Sequence, residues 1–137
     1  MIMAYRDALD DCDSAIAIEP TNSKSYFRKA TALKGLGRLD DCVLAFDNGL
    51  VHDPTSATAT KDRDTLVNAR DQTLPELRDL CNVKNFRDVL VKVNRVIELI
   101  GSTFREFNIV KVEALLELFK TEDAYNLTNS MVSPIAG

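Results

Sequence analysis

The sequence predicts an all-α protein in which helices stack as pairs. Tryptophan is absent, and five glycines and four prolines in 137 residues leave few of the turns that a sheet protein needs. The segment Ile18–Thr21 recurs as His52–Thr55, which places Pro20 and Pro54 34 residues apart. Two amphipathic helical patterns lie between these prolines. A helical pair that repeats at this period is typical of an α-solenoid.

The segment from Tyr5 to Pro20 has the pattern of the second helix of such a pair, without its first helix. In the absence of that partner, Tyr5, Leu9 and Ile16 are predicted to leave an apolar edge, which solenoids normally cap. We therefore expect self-association through this amino-terminal edge, or instability without upstream sequence.

The next pair is predicted from about Ser23 to Leu36 and from about Asp40 to Val51, with Ser23 as the N-cap of its first helix. Gly35 and Gly37 interrupt the first pattern. Pro54 ends the second, because proline disfavours helical geometry in the residue before it. Helical spacing directs a common set of side chains toward the core: Tyr26, Leu33, Leu36, Phe46 and Leu50.

After Pro54 the repeat register loosens, and Thr55 to Gln72 follows as a polar helix. Thr73 to Glu76 then has the form of a capping box with proline in its first turn, so we expect either a new helix at Leu74 or a kink there. Asn85 to Ile100 is again a second helix. Its inward-facing side chains are predicted to be Val89, Val93, Val96 and Ile97.

The last pair is predicted as helices from Phe104 to Phe119 and from Glu122 to Val132. Residues 133–137 carry no helical signal and are predicted to be a disordered tail. The solenoid then spans residues 1–132 in units over about 1–21, 22–55, 56–102 and 103–132, which is about three and a half helical pairs.

Composition excludes several classes of function. A net charge of -4 argues against nucleic-acid binding, and no apolar run approaches the roughly 20 residues that span a bilayer. The amino terminus also lacks the features of a secretory signal, so we expect a cytoplasmic protein. Cys12, Cys42 and Cys81 have no metal-binding spacing, and we interpret them as reduced core residues with no cofactor. No nucleophile, base and orienting group occur together, so no enzymatic activity is expected.

The segment from Thr21 to Leu39 is a basic island that contains no acidic residue; its cations are Lys24, Arg28, Lys29, Lys34 and Arg38. Such a local surplus can attract an anionic ligand whatever the overall charge. Lys24 and Arg28 are four residues apart and therefore project from one face of a helix. Phe27, Thr31 and Lys34 extend that face as candidate groove residues, and Arg78 is a candidate from the next unit. The alternative is that these cations form a solvated helix face.

These patterns resemble the tetratricopeptide repeat, a helix-turn-helix unit of about 34 residues. Its characteristic positions are occupied here by Tyr26, Ala30, Leu33, Gly37, Leu39, Cys42, Phe46, Gly49 and Pro54. The spacing from Tyr5 to Met131 is also similar to the first repeat cluster of tetratricopeptide-containing DnaJ-type co-chaperones (DnaJ subfamily C member 7-like). The resemblance implies a right-handed superhelix of antiparallel helix pairs that binds other proteins and is not an enzyme.

The string from Lys24 to Ala30 is similar to part of the carboxylate clamp by which such co-chaperones hold the acidic C-terminal tail of heat-shock chaperones. This resemblance implies that Lys24 and Arg28 bind the peptide carboxylate. The family takes two asparagines and a further lysine from two preceding first helices, so this chain is expected to hold at most half of a clamp. The alternative is a generic repeat scaffold that binds an unrelated protein segment without any clamp.

Overall fold

In the computed structural model, which describes residues 2–136 and the side chains of residues 2–122, six α-helices follow one another. They are α1 (Ile2–Ile18), α2 (Ser23–Gly35), α3 (Leu39–His52), α4 (Ala57–Asn82), α5 (Phe86–Ile100) and α6 (Arg105–Ala136). Turns of three or four residues join them. Each helix packs against the helices before and after it, and α4 also contacts α6. The predicted all-α helical-repeat fold is confirmed.

The α2–α3 pair contains the first part of the core. Leu33, Leu39 and Phe46 are buried there, as the helical spacing of Leu33 and Phe46 predicts. The other predicted core residues, Tyr26, Leu36 and Leu50, are half-buried. The turn between the two helices passes through Gly37, whose φ of +76° is in the left-handed region that glycine adopts at little cost.

Helix α2 is capped by Asn22 and not by the predicted Ser23. The Asn22 side chain accepts a hydrogen bond from the backbone N–H of Lys24 at 3.1 Å, so Ser23 becomes the first helical residue. The Tyr26 hydroxyl donates to the carbonyl oxygen of Pro20 at 2.7 Å, and its ring stacks on His52 at 5.6 Å. Tyr26 thereby ties α2 both to the preceding turn and to the end of α3.

Helix α4 continues through Pro75 for 26 residues, so of the two predicted alternatives the new helix at Leu74 is wrong, while a kink inside the helix stays a prediction. Thr73 lies inside the helix and is buried, instead of capping a helix start. The physical reason is packing. Leu74 and Leu77 are both buried in the core, and their burial offsets the backbone hydrogen bond that Pro75 cannot donate.

The second part of the core lies between α4, α5 and α6. Val89 and Val93 are fully buried, as predicted for the inner face of α5. Val96 and Ile97 are half-buried and pack against the same core. Phe104 and Phe107 at the start of α6 are also fully buried, with their rings edge to face and 5.6 Å apart. Leu74, Leu77 and Ala114 are also buried in this part of the core.

Helix α6 differs most from the prediction, since it runs from Arg105 to Ala136 without a break. Two helices and a disordered tail were expected over this segment. No glycine or proline occurs between Arg105 and Ser133, and those residues are the usual stop signals of a helix. Gly137, part of the expected tail, lies outside the described residues, and the proposed unit boundaries stay a prediction.

The amino-terminal helix covers more of its apolar surface than predicted. Leu9 packs against the core, the Tyr5 ring lies against Gly35, and Ile16 is half-buried. Ile2 and Ile18 are exposed instead. Self-association through this edge therefore stays a prediction, with fewer exposed apolar side chains to support it.

The three cysteines are free thiols; Cys12 and Cys42 are buried, and Cys81 is half-buried. The two buried residues thus occupy the core positions predicted for them. None of the helices over the described residues combines the length and the apolar character that a membrane span requires.

Candidate functional site

Arg28 lies on α2 where two open cavities meet. The larger cavity has a volume of about 460 Å³ and lies between α1 and α2, with Tyr5, Ala8 and Cys12 among its lining residues. The smaller has a volume of about 230 Å³ and lies between α2, α3 and the start of α4. Arg28 and Thr31 line both cavities, so the two adjoin each other along α2. We call the two cavities together the α2 cleft.

Two of the five cations of the basic island are neutralised by neighbouring carboxylates. Lys29 Nζ lies 2.7 Å from Asp13 Oδ1, and Arg38 Nη2 lies 2.7 Å from Asp41 Oδ2. Among residues 2–122, no ion pair is formed by the other three, which are Lys24, Arg28 and Lys34. The structure thus reduces the predicted basic surface from five available charges to three.

The surroundings of Arg28 are mixed in charge. Asp11 lines the larger cavity and Asp62 lines the smaller one, so each cavity has one carboxylate in its lining as well as Arg28. Burial raises the pKa of the Cys12 thiol, and the positive charge of nearby Arg28 partly opposes that rise. Cys12 thus shares the lining of the larger cavity with apolar side chains and with both charges, Asp11 and Arg28.

Only part of the predicted set of site residues meets in the cleft. Arg28, Phe27 and Thr31 line it. Lys24 is exposed one turn before Arg28 and lines neither cavity. Lys34 is exposed in the last turn of α2. Arg78 lies elsewhere, on α4, with its Nη2 atom 3.9 Å from Glu106 Oε2.

The sequence reasoning missed the residues that α1 and α4 contribute. Ala8 and Ala15 line the cleft from α1 beside Tyr5, which the sequence predicts only as part of an apolar edge. Thr58 and Asp62 form the wall on α4. Asp62 follows Arg28 by 34 residues, the period of the repeat, so the periodicity contained a signal that could have identified it.

Stacked helix pairs with an open cleft along one helix define the class of helical-repeat binding proteins. Across the part of the chain that the structure describes, no group of His, Cys, Asp and Glu side chains is arranged to hold a metal ion. The described lining of the cleft offers apolar surface, hydroxyl groups, one cation and two carboxylates, which suits recognition of a polypeptide segment.

Comparison with known proteins identifies the repeat. The family model for the tetratricopeptide repeat matches residues 12–43, which cover the end of α1, all of α2 and the start of α3. The comparison with solved structures found no match.

Three curated proteins are similar to parts of the chain. Over 55 residues it is 46% identical to human Tetratricopeptide repeat protein 28, covering 40% of this chain and 2% of that protein. Over 97 residues it is 30% identical to the DnaJ protein P58IPK homolog of Arabidopsis thaliana, covering 67% of this chain and 20% of that protein. Over 53 residues it is 42% identical to the Heat shock protein sti1 homolog of Schizosaccharomyces pombe, covering 39% of this chain and 9% of that protein. The chain thus matches at most about a fifth of the length of these relatives.

The chain contains a tetratricopeptide repeat, and it resembles tetratricopeptide-containing co-chaperones. Repeats of this kind are generally non-enzymatic modules of protein–protein interaction, and nothing in the described residues points to catalysis.

Proposed function

We propose that this chain is the protein-binding part of a cytoplasmic co-chaperone and that its α2 cleft holds an acidic peptide, as found at the C-terminus of heat-shock chaperones. The observation that carries the proposal is the position of Arg28, an unpaired cation shared by both cavities of the cleft. Relatives named as DnaJ and heat-shock proteins support the choice of partner. Free, mostly buried thiols suit a reducing cytoplasm.

In this proposal Arg28 binds a carboxylate of the peptide through its planar fork of N–H donors, and Lys24 adds a second charge one turn away. Phe27 and Thr31 contact the peptide beside it, with Lys34 further along α2. Arg78 is left out, because it faces Glu106 outside the cleft.

Substitution of Arg28 tests the proposal. Titration with a fluorescent peptide that ends in Glu-Glu-Val-Asp is expected to show about five- to tenfold weaker binding for Arg28→Gln. This factor corresponds to the roughly 1 kcal/mol that an exposed charge-assisted hydrogen bond contributes. Lys24→Ala should weaken binding less. The melting temperature of both variants should match that of the wild type, since neither side chain is buried.

Arg87→Gln is the matched control, because Arg87 is an exposed arginine on α5 outside both cavities. Its binding should equal that of the wild type. Equal affinity of the Arg28→Gln protein and the Arg87→Gln protein would rule out a role for the cleft cation.

A second candidate is a generic repeat scaffold that binds an unrelated protein segment. Asp11 and Asp62 favour it, because a cleft lined by two carboxylates and one arginine suits a segment of mixed charge better than a purely acidic tail. Amidation of the terminal carboxylate of the peptide distinguishes the candidates. Weaker binding of the amidated peptide supports the clamp, and unchanged binding supports the scaffold.

A further inference from the structure

Helix α6 is apolar on two opposite faces. Its inner face packs against the core through Phe107, Val110 and Ala114. At 3.6 residues per turn, another four apolar side chains form a stripe on the opposite side: Ile109, Val112, Leu116 and Phe119. These four are 51%, 54%, 54% and 64% exposed. A contiguous exposed apolar stripe rimmed by polar residues marks an interaction surface, so the outer stripe is expected to have a partner.

The charged side chains that flank the stripe are placed so that they complement the same side chains of a second, antiparallel copy of the helix. Glu113 and Lys120 lie along one edge of the stripe, and Lys111 and Glu122 lie along the other. Both pairs have their midpoint between Leu116 and Glu117. A twofold axis through that midpoint therefore brings each acid opposite a base when two such helices lie antiparallel.

We propose that this outer face of α6 is the interface between two copies of the chain, with the two α6 helices antiparallel around the Leu116–Glu117 midpoint. The apolar stripe supplies the driving force, and the flanking charges set the register, because exposed ion pairs contribute orientation more than affinity. Glu113 of one copy faces Lys120 of the second copy, and Lys111 faces Glu122. Each pair forms twice. Opposed helix dipoles also favour the antiparallel direction.

The existing contacts of these side chains do not block the pairing. Lys120 Nζ lies 3.3 Å from Glu117 Oε1 of the same helix, and the Lys120 side chain is 71% exposed, so this is a weak surface pair that can exchange. Among residues 2–122, the ion pairs of the structure do not include Lys111, Glu113 or Glu122.

The first test is the oligomeric state of the full 137-residue chain by sedimentation velocity over a range of concentrations. The wild type should be in monomer–dimer equilibrium, and Leu116→Glu should raise the dimer dissociation constant at least tenfold. Leu44→Glu is the matched control, because Leu44 is a leucine of similar exposure, 57%, on α3. It should dimerise like the wild type, and circular dichroism should show all three proteins folded. A monomer at every concentration, or equal dimerisation of the Leu116→Glu and wild-type proteins, would overturn the proposal.

A charge exchange tests the register. Glu113→Lys alone should weaken the dimer, because it places two lysines opposite each other, and Glu113→Lys with Lys120→Glu should restore it. A parallel dimer would instead pair Glu113 with Lys111 and would not be restored by the double variant. Failure of that rescue would reject the antiparallel arrangement.

Discussion

Gly49 lies inside α3 at the point where this helix touches the aromatic side chains of α2. A Cβ atom at this position would overlap the Phe27 ring and would lie 3.0 Å from the Tyr26 Cβ. Alanine normally stabilises a helix by about 1 kcal/mol relative to glycine. Overpacking of a tight contact costs about 1–3 kcal/mol, so the contact is expected to outweigh the helix propensity.

Gly49→Ala should therefore lower the free energy of unfolding by about 1 kcal/mol in urea denaturation followed by circular dichroism. Asn48→Ala is the control, since Asn48 is the exposed neighbour in the same helix and gains propensity without any such contact. It should be at least as stable as the wild type. Equal stability of the two variants would show that α2 and α3 are further apart than described.

Pro75 tests the continuity of α4 at the scale of an element. It lies in the helix interior and is exposed, where proline costs roughly 3 kcal/mol relative to alanine. Pro75→Ala should therefore raise the free energy of unfolding by about 1–3 kcal/mol and increase the helical signal. The matched control Gln72→Ala, at an exposed position of the same helix, should change stability by only a few tenths of a kcal/mol. No gain from Pro75→Ala would indicate that α4 is interrupted at this residue.

The start of α6 is held by contacts with residues far from it in the chain, one in α3 and one in α4. Asp40 Oδ2, at the start of α3, accepts a hydrogen bond at 2.7 Å from the backbone N–H of Arg105, the first residue of α6. The Arg70 guanidinium lies over the Phe104 ring, 5.4 Å from its centroid. Asp40 thus serves as an N-cap for α6 from 65 residues away.

Loss of this remote cap has a measurable effect at the scale of the whole molecule. Asp40→Ala should reduce the free energy of unfolding by about 1 kcal/mol, the usual value of an N-cap. Asp41→Ala is the control: both residues lie in the first turn of α3 and share its helix dipole, but Asp41 pairs with Arg38 on the surface. The Asp41→Ala variant should lose less stability in thermal denaturation. A larger loss from Asp41→Ala would assign the stabilisation to α3 alone.

Most of the helices could be predicted from the sequence, because their signals lie within a few residues. Asn85 caps α5 through the backbone N–H of Asp88, and Gly101 ends it in a left-handed conformation, at the positions where the pattern placed these limits. The inner face of α5 followed from its spacing of valines. At Pro75 in α4 the local signals conflicted with packing, and the new helix that they predicted at Leu74 did not form.

The sequence by itself determined the all-α class, the repeat period and the candidate cations of α2, because periodicity and charge are properties of short segments. Only the tertiary structure decided which cations remain available. Asp13 neutralises Lys29 from α1, and the shared wall of two cavities selects Arg28. The tertiary structure likewise decided which face of α6 is exposed, because Phe107 and Ala114 pack into the core on its inner face. These features depend on the distances between helices, which are set by tertiary packing and not by signals within short segments of the sequence.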